Sequence, residues 1–535
     1  MTRQSYDIVV IGGGVTGVGT ALDAAARGLS VALVEQRDYA AGTSSRSSKL
    51  LHGGLRYLEQ LRFGLVAQAL RERNLMVGRL CPHLTVPVRF LYPLRQRLWD
   101  RVYVGAGVLL YDLLAWLGRS PLPGHRHLTR TGVRRVAPGL ETTSVVGAVE
   151  FSDVVVDDAR HTMTLARTAA QAGARLATSV RAVGLTERID RISGVEAHDL
   201  ESGRHFTIEA GVVVNTTGVW TDEVEGWAGD TEGNVQVSKG IHLVVPRHAI
   251  DMSRGLITRT ERSVLFVIPW GDFWIVGTTE THWDLHLAHP AASRTDIEYL
   301  LDRVNSVLAT PLTDADIIGV YAGLRPLLRG ESESTSKLSR EHAVRQVRPG
   351  LITVAGGKYT TYRVMASDVV DAAVTELGVD RPPCSTDQIR LVGAVEITGD
   401  RLSRLGRRYG ANAADIGELI AGAPGLGETV AGAAPYLKAE IVYAVTHEGA
   451  LHLDDVLTRR TRISIETDHR GTESAEEVAR LMAPMLGWDE ATIAREVDHY
   501  LARVEAERDS QTKPDDTTAD AARMGAPDVR MGAGR

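Results

Sequence analysis

The stretch DIVVIGGGVTGVGTALDAAARGLSVALVE, residues 7–35, constrains this chain more than any other. Asp7 to Ile11 is a short, mostly apolar run, as a central parallel strand buried on both faces requires. Gly12, Gly14 and Gly17 follow in a G-x-G-x-x-G turn, and Val15 to Arg27 reads as an alanine-rich helix ending at Gly28. Ser30 to Val34 reads as a second strand that closes on Glu35. A strand, turn, helix and strand within about thirty residues open a doubly wound α/β fold. The glycines divide the work: the first permits the tight turn, the second lets backbone approach a pyrophosphate, and the third allows close helix–strand packing. The helix amides then face the phosphates, where the helix dipole favours negative charge. Glu35, eighteen residues past Gly17, is placed to accept hydrogen bonds from ribose hydroxyls and favours an unphosphorylated ribose. A glycine-rich structural turn is the competing reading, and the strand before it and the acid after it weigh against that.

The motif does not separate NAD from FAD. The polar loop Thr43 to Lys49 (TSSRSSK) supplies hydroxyls and a cation soon after the second strand. Val212 to Gly218 and Leu351 to Arg363 read as distant strand-and-turn segments that complete the same unit. A discontinuous flavin domain fits this order better than a self-contained NAD domain. FAD is therefore the expected cofactor, with Gly12, Gly14, Gly17, Glu35, Thr43, Ser44, Ser48, Lys49, Gly53, Thr217, Gly218, Trp220, Lys358 and Thr360 as its expected neighbours. For Trp220, packing is an equally good explanation.

At 535 residues the chain is too long for one core, and three or four units are expected at ~150 residues each. Between about Lys239 and Thr279 the pattern turns β-rich, which suggests an antiparallel sheet inserted into the α/β scaffold. Residues 1–90, 145–235 and 325–385 are assigned to the Rossmann-like FAD-binding domain, and 236–324 to a β-rich substrate domain. Residues 91–144 form a membrane-facing or substrate segment, 386–508 a C-terminal helical domain, and 509–535 a tail expected to be disordered for want of large apolar residues.

Sixty basic against 67 acidic residues leave a net charge of −7, which argues against a bulk nucleic-acid-binding surface. Two cysteines, Cys81 and Cys384, exclude a disulfide framework and a CxxC site, and a reducing compartment is the simplest reading. The histidines are scattered and no metal-binding pattern occurs. No export leader is legible at the N-terminus. Val102 to Leu117 holds a single charge, Asp112, and lies between Arg89, Arg95, Arg97, Arg101 and Arg119 with Trp99, Tyr103, Tyr111 and Trp116 near its ends. That is the composition of a helix in a membrane interface, and a helix buried between domains is the alternative.

The blocks IGGGVTGVGTALDAAARGLSVALVE, SSRSSKLLHGGLRYLE, YAGLRPL and GGKYTTYR, with LHLDDVLTRRTRI at Leu451 to Ile463, closely resemble the FAD-dependent, respiratory-type sn-glycerol-3-phosphate dehydrogenase family. The resemblance covers nearly everything before about Asp509. It implies oxidation of glycerol 3-phosphate to dihydroxyacetone phosphate, FAD as electron acceptor and a membrane quinone beyond it. It also implies a peripheral or monotopic protein on the cytoplasmic side of the plasma membrane, leaves a homodimer open, and strengthens the interfacial reading of Val102 to Leu117.

Oxidising a secondary alcohol with a flavin requires the C2 hydrogen to leave as hydride and a base to take the hydroxyl proton. A phosphate dianion also requires cations, preferably arginine forks. The resemblance places Arg325 beside the reacting carbon, Arg56 and Arg340 at the phosphate, and Lys358 near the flavin. His242, in KGIHLVVP, is the first candidate for the base, because it begins a β-rich segment that can present it over the flavin. His52 is its rival and can instead position the flavin ring. Tyr57 is a candidate for the pocket wall. An oxidase of the same fold that passes electrons to oxygen, and a flavoprotein without turnover, are the competing functions.

Overall fold

The computed structural model describes Met1 and residues 4–54, 56–96, 99–260, 264–329, 341–396, 403–526 and 528–531, the side chains of Arg56 and Met531 excepted. The first sheet grows around strand β1 (Tyr6–Ile11), whose run of β-branched residues is buried on both faces. Strand β2 (Val31–Val34) lies parallel on one side of it and His205–Asn215 parallel on the other, with Ile11 level with both Val34 and Asn215. Leu351–Gly356 and Arg175–Ala177 extend this parallel core outward. His342–Arg348 adds an antiparallel edge, and the hairpin Val180–Arg188/Arg191–Asp199 pairs with the first half of His205–Asn215. Between β1 and β2 runs helix α1 (Val15–Ala26). Its Val18 and Leu22 pack with Val10, Leu33, Val214, Met163 and Val369 in one core.

The second sheet has ten strands. Val235–Pro246 is its spine, flanked by Gly319–Leu328 and Phe273–Gly277, both antiparallel. The sheet continues through Val264–Trp270 and Gly255–Arg259 to Thr85–Leu94 and Gly147–Val156. It is antiparallel except where Gly255–Arg259 meets Thr85–Leu94. The sheet therefore reaches outside the 236–324 span expected for it. Gly147–Val156, at the head of a segment expected to lie in the cofactor domain, instead pairs along Thr85–Leu94. Both runs are buried apolar strands, and a buried run does not disclose which sheet it joins.

Trp99–Leu117 is a helix with two unlike faces. Gly105, Val108, Tyr111 and Ala115 are buried, and the Tyr111 hydroxyl donates to Asp153 at 2.9 Å. Trp99 and Trp116 are 69% and 71% exposed, alongside exposed Val102, Leu109, Leu113 and Leu117. The helix is thus not enclosed between domains, and among the described residues no helix is long and apolar enough to cross a membrane.

The C-terminal helices surround a separate core that includes Ile441, Leu457, Val478, Met482 and Tyr500. They dock through buried charges: Arg459 Nε and Arg460 Nη1 meet Asp38 Oδ2 at 2.6 and 2.7 Å, and Arg462 Nη2 meets Asp158 Oδ1 at 2.6 Å. The described residues of the tail, 509–526 and 528–531, are packed onto the body of the protein, contrary to expectation. Asp516–Arg523 is a helix, and Arg530 Nη2 donates to both carboxylate oxygens of Asp455 at 2.9 Å. Its anchors are a buried ion pair and the small Ala519, packed with Val219, Trp283 and Leu324, rather than large apolar side chains, so composition concealed them.

Candidate active site

At the carboxyl end of β1 the chain turns through Gly12 at φ +110°, where a Cβ would lie 2.9 Å from the carbonyl oxygen of Thr216. A Cβ on Gly17 would lie 2.0 Å from the Gly12 oxygen, so α1 seats against the turn only with glycine there. The first turn of α1 has no side-chain cap from Gly14; the Val15 amide instead donates to Ser44 Oγ at 2.9 Å. Glu35 is fixed at the end of β2 by amides from Gly13 and Arg37, at 2.7 and 2.8 Å. Burial pushes its carboxyl up and those two amides push it back down.

These groups line a cavity of about 330 Å3, within the ~300–1,000 Å3 usual for cofactor sites. Gly12, Gly14, Glu35, Thr43, Ser44, Ser48, Thr217, Gly218, Trp220, Lys358 and Thr360 all reach it, as do His52, Tyr57, His242 and Arg325. Three expected neighbours do not line it. Gly17 and Gly53 serve packing, a Cβ on Gly53 falling 2.7 Å from Leu70. Lys49 is buried away from the cavity, its Nζ 2.8 Å from Asp158 and 3.0 Å from the Ser45 oxygen. Lys49 is thus spent on an acid a hundred residues away, which nearby sequence does not show, and Arg46 is the cation of this loop that lines the cavity. Arg340 and the side chain of Arg56 lie outside the described residues.

The second sheet supplies the opposite wall. On neighbouring strands Ser238 pairs with Arg325, Gly240 with Gly323, and His242 with Tyr321. Alternate residues share a face, so Arg325 and His242 stand on one face with the glycine pair between them. The glycines are required there: a Cβ on Gly240 would lie 2.3 Å from Arg325 Nη2, and one on Gly277 would lie 2.4 Å from the His242 ring. Arg325 Nη2 donates to Thr278 Oγ1 at 2.9 Å. His242 stacks on Tyr321 with ring centroids 4.8 Å apart, and its Nε2 lies 2.8 Å from Ser48 Oγ. Burial, then the charges of Arg325 and Lys49, hold the imidazole well below its ordinary pKa, so it is neutral at physiological pH. Lys358 Nζ sits 3.6 Å over the Tyr57 ring, and the His52 amide donates to Thr360 Oγ1 at 3.3 Å.

Sequence reasoning missed Tyr321, Arg37 and Arg46. Tyr321 was within reach, being four residues before Arg325 in YAGLRPL. Arg37, two residues past Glu35, lines the cavity with its guanidinium 5.9 Å from the Trp220 ring centre.

A glycine cradle closed by a buried acid at the end of the second strand, opening onto a wall with a neutral histidine and an arginine, defines a flavin-dependent oxidoreductase. The residues present fit FAD: the side-chain-free turn Gly12–Gly14 at the N-terminus of α1 would admit its pyrophosphate, Glu35 would accept from its ribose, and one continuous cavity would take its length. Residues 7–363 match the family described as FAD dependent oxidoreductase, and 376–493 match the C-terminal domain of alpha-glycerophosphate oxidase. Glycerol-3-phosphate dehydrogenase 2 of Mycobacterium tuberculosis is 54% identical over 98% of this chain and 93% of its own. The human mitochondrial glycerol-3-phosphate dehydrogenase is 34% identical over 91% of this chain and 71% of its own. The crystal structure of the Bacillus halodurans glycerol-3-phosphate dehydrogenase, complexed with FAD, superposes with a TM-score of 0.75 at 27% identity, covering 94% of this chain and 95% of that one. The chain belongs to the FAD-dependent glycerol-3-phosphate dehydrogenase family. It shares its fold with the L-alpha-glycerophosphate oxidase of Mycoplasma pneumoniae, at a TM-score of 0.57 and 16% identity.

Proposed function

We propose that the cavity oxidises sn-glycerol 3-phosphate to dihydroxyacetone phosphate and that the electrons leave to a membrane quinone. The observation that carries this reading is the pairing of a neutral His242 with a charged Arg325 on one face of the sheet, above the flavin cradle. FAD held by the Gly12–Gly14 turn and Glu35 would supply the acceptor for the C2 hydride. His242 takes the C2 hydroxyl proton at Nε2, the nitrogen that Ser48 already addresses, and Tyr321 keeps the ring in its plane. Arg325 stabilises the developing negative charge on the C2 oxygen, held in place by Thr278 and Thr279. Arg56 and Arg340 bind the phosphate. Lys358 supplies positive charge near the flavin, with Tyr57 under it.

The exposed face of Trp99–Leu117 rests in the headgroup region of the cytoplasmic leaflet, with Trp99, Tyr103 and Trp116 at the boundary and the exposed Arg95 toward anionic lipid, while Arg89 is held by Glu150. This makes the enzyme peripheral and brings it to its quinone. Substrate-reduced holoenzyme should regain its flavin colour faster with a short-chain quinone than with air. Faster recovery in air, with hydrogen peroxide formed, would assign it to the oxidases instead.

A further inference from the structure

A second cavity, of about 90 Å3, lies between the loop 43–49, the Gly319–Leu328 strand and the C-terminal helices. Six arginines line it, Arg46, Arg459, Arg462, Arg470, Arg503 and Arg523, with His289, against the acids Asp454 and Glu507. Arg46 lines the flavin cavity too, so the two spaces share a wall.

The charges do not balance. Arg459 is taken up by Asp38, Asp454 and Asp455, and Arg462 by Asp157 and Asp158. Arg503 is paired with Asp454, and Glu507 comes no nearer to Arg470 than 3.8 Å. Arg46 and Arg523 have no acid at ion-pair distance among the described residues, and the strongest charged neighbours of Arg46 are four other arginines. Nη1 of Arg470, Nη1 of Arg523, Nε of Arg503 and Nδ1 of His289 are buried without a hydrogen-bond partner among the described residues. Burial, then the surrounding arginines, push Arg46 down to about 9. A guanidinium nonetheless stays protonated at physiological pH. Burying such charges unpaired is strongly unfavourable unless a counter-ion shares the space.

We propose that this cavity binds a phosphate-class dianion, held by Arg46, Arg470, Arg503, Arg523 and His289. Guanidinium forks match the oxygens of a tetrahedral oxyanion. The volume equals roughly six water-sized spheres, room for one such group and little more, which excludes a nucleotide. Free phosphate and the phosphate end of a small ester share this chemistry. An occupied site joins three separate segments: the flavin loop through Arg46, the C-terminal helices through Arg470 and Arg503, and the tail helix through Arg523.

The test is equilibrium dialysis of holoenzyme with radiolabelled inorganic phosphate, at ionic strength fixed with sodium chloride. The substrate site can itself hold phosphate, so the decisive background is Arg56→Gln combined with Arg340→Gln, which removes the two arginines assigned to the substrate phosphate. This variant should still bind one phosphate per chain, and adding Arg523→Gln should weaken that binding at least tenfold. No phosphate bound by the Arg56→Gln, Arg340→Gln background, or unchanged binding after Arg523→Gln, overturns the proposal. If the variant carrying all three changes does not fold, proteolysis of the Arg56→Gln, Arg340→Gln background decides: phosphate should slow tryptic cleavage within 509–531 more than chloride does, and equal rates overturn it. Methyl phosphate as competitor identifies the source: displacement at concentrations equal to phosphate supports an ester, and weaker displacement supports the free ion.

Discussion

His242 Nε2 lies 2.8 Å from the hydroxyl of Ser48, a residue 194 positions earlier in the chain. The contact joins the flavin loop to the large sheet and fixes His242, the proposed base, where the two meet. Because burial and the nearby positive charge of Arg325 keep His242 neutral, no proton has to be shed before the ring accepts one. Replacing it with asparagine should lower kcat by roughly 10²–10⁴-fold, the usual contribution of a general base. Flavin content should be unchanged. Protonation of the lowered imidazole removes the base, so kcat/KM should fall only as pH drops below the ordinary histidine value of ~6.5. An acid limb centred above pH 7 would assign the proton to another group.

Gly240 tests the room that Arg325 needs. Alanine there would place a methyl 2.3 Å from Arg325 Nη2, and a flexible guanidinium yields more readily than the strand. Gly240→Ala should therefore fold and hold FAD while kcat/KM for glycerol 3-phosphate falls by at least tenfold. Steady-state kinetics beside the flavin absorbance ratio measure both. Unaltered kinetics would place the substrate away from Arg325.

His452 latches the C-terminal helices to the flavin unit, with Nε2 at 2.9 Å from Glu201 and Nδ1 at 3.0 Å from Glu496. Burial disfavours its charge, but the two carboxylates outweigh burial and raise its pKa to about 9. A raised histidine stabilises fully below its unfolded value of ~6.5, and the benefit is lost as pH climbs through about 9. The loss should be on the order of 3 kcal/mol at most. Denaturant midpoints between pH 6 and 10 should fall in the wild type and stay nearly flat, at a lower level, in His452→Gln.

Membrane contact rests on the outward face of Trp99–Leu117. Exchanging both Trp99 and Trp116, 69% and 71% exposed, for serine removes no core contact. The variant should keep its thermal midpoint within about 1 °C, since surface changes cost little, and should move from the vesicle pellet to the supernatant in sedimentation with anionic liposomes. Unchanged partitioning would refute the interfacial role.

The flavin cradle was legible because its determinants are local: Gly12, Gly14, Gly17 and Glu35 act within one strand–helix–strand unit. Arg325 was singled out through the YAGLRPL block and His242 through the β-rich segment it begins, yet their shared face depends on the register between two strands some eighty residues apart. Lys49 shows where local reading ends. A cation in a hydroxyl-rich loop suggests a phosphate ligand, but Asp158 reaches it first, at 2.8 Å. The tail shows the same limit in another form. Poor in large apolar residues, it is held by Arg530 on Asp455 and by His286 on Asp520, partners that no window of sequence contains.

The central claim is tested most directly by anaerobic titration of the purified holoenzyme with sn-glycerol 3-phosphate, following the oxidised flavin absorbance. One equivalent should bleach the band in the wild type, while His242→Asn, with the same flavin content, bleaches at least a hundredfold more slowly. A flavin that stays oxidised under excess substrate would contradict the account.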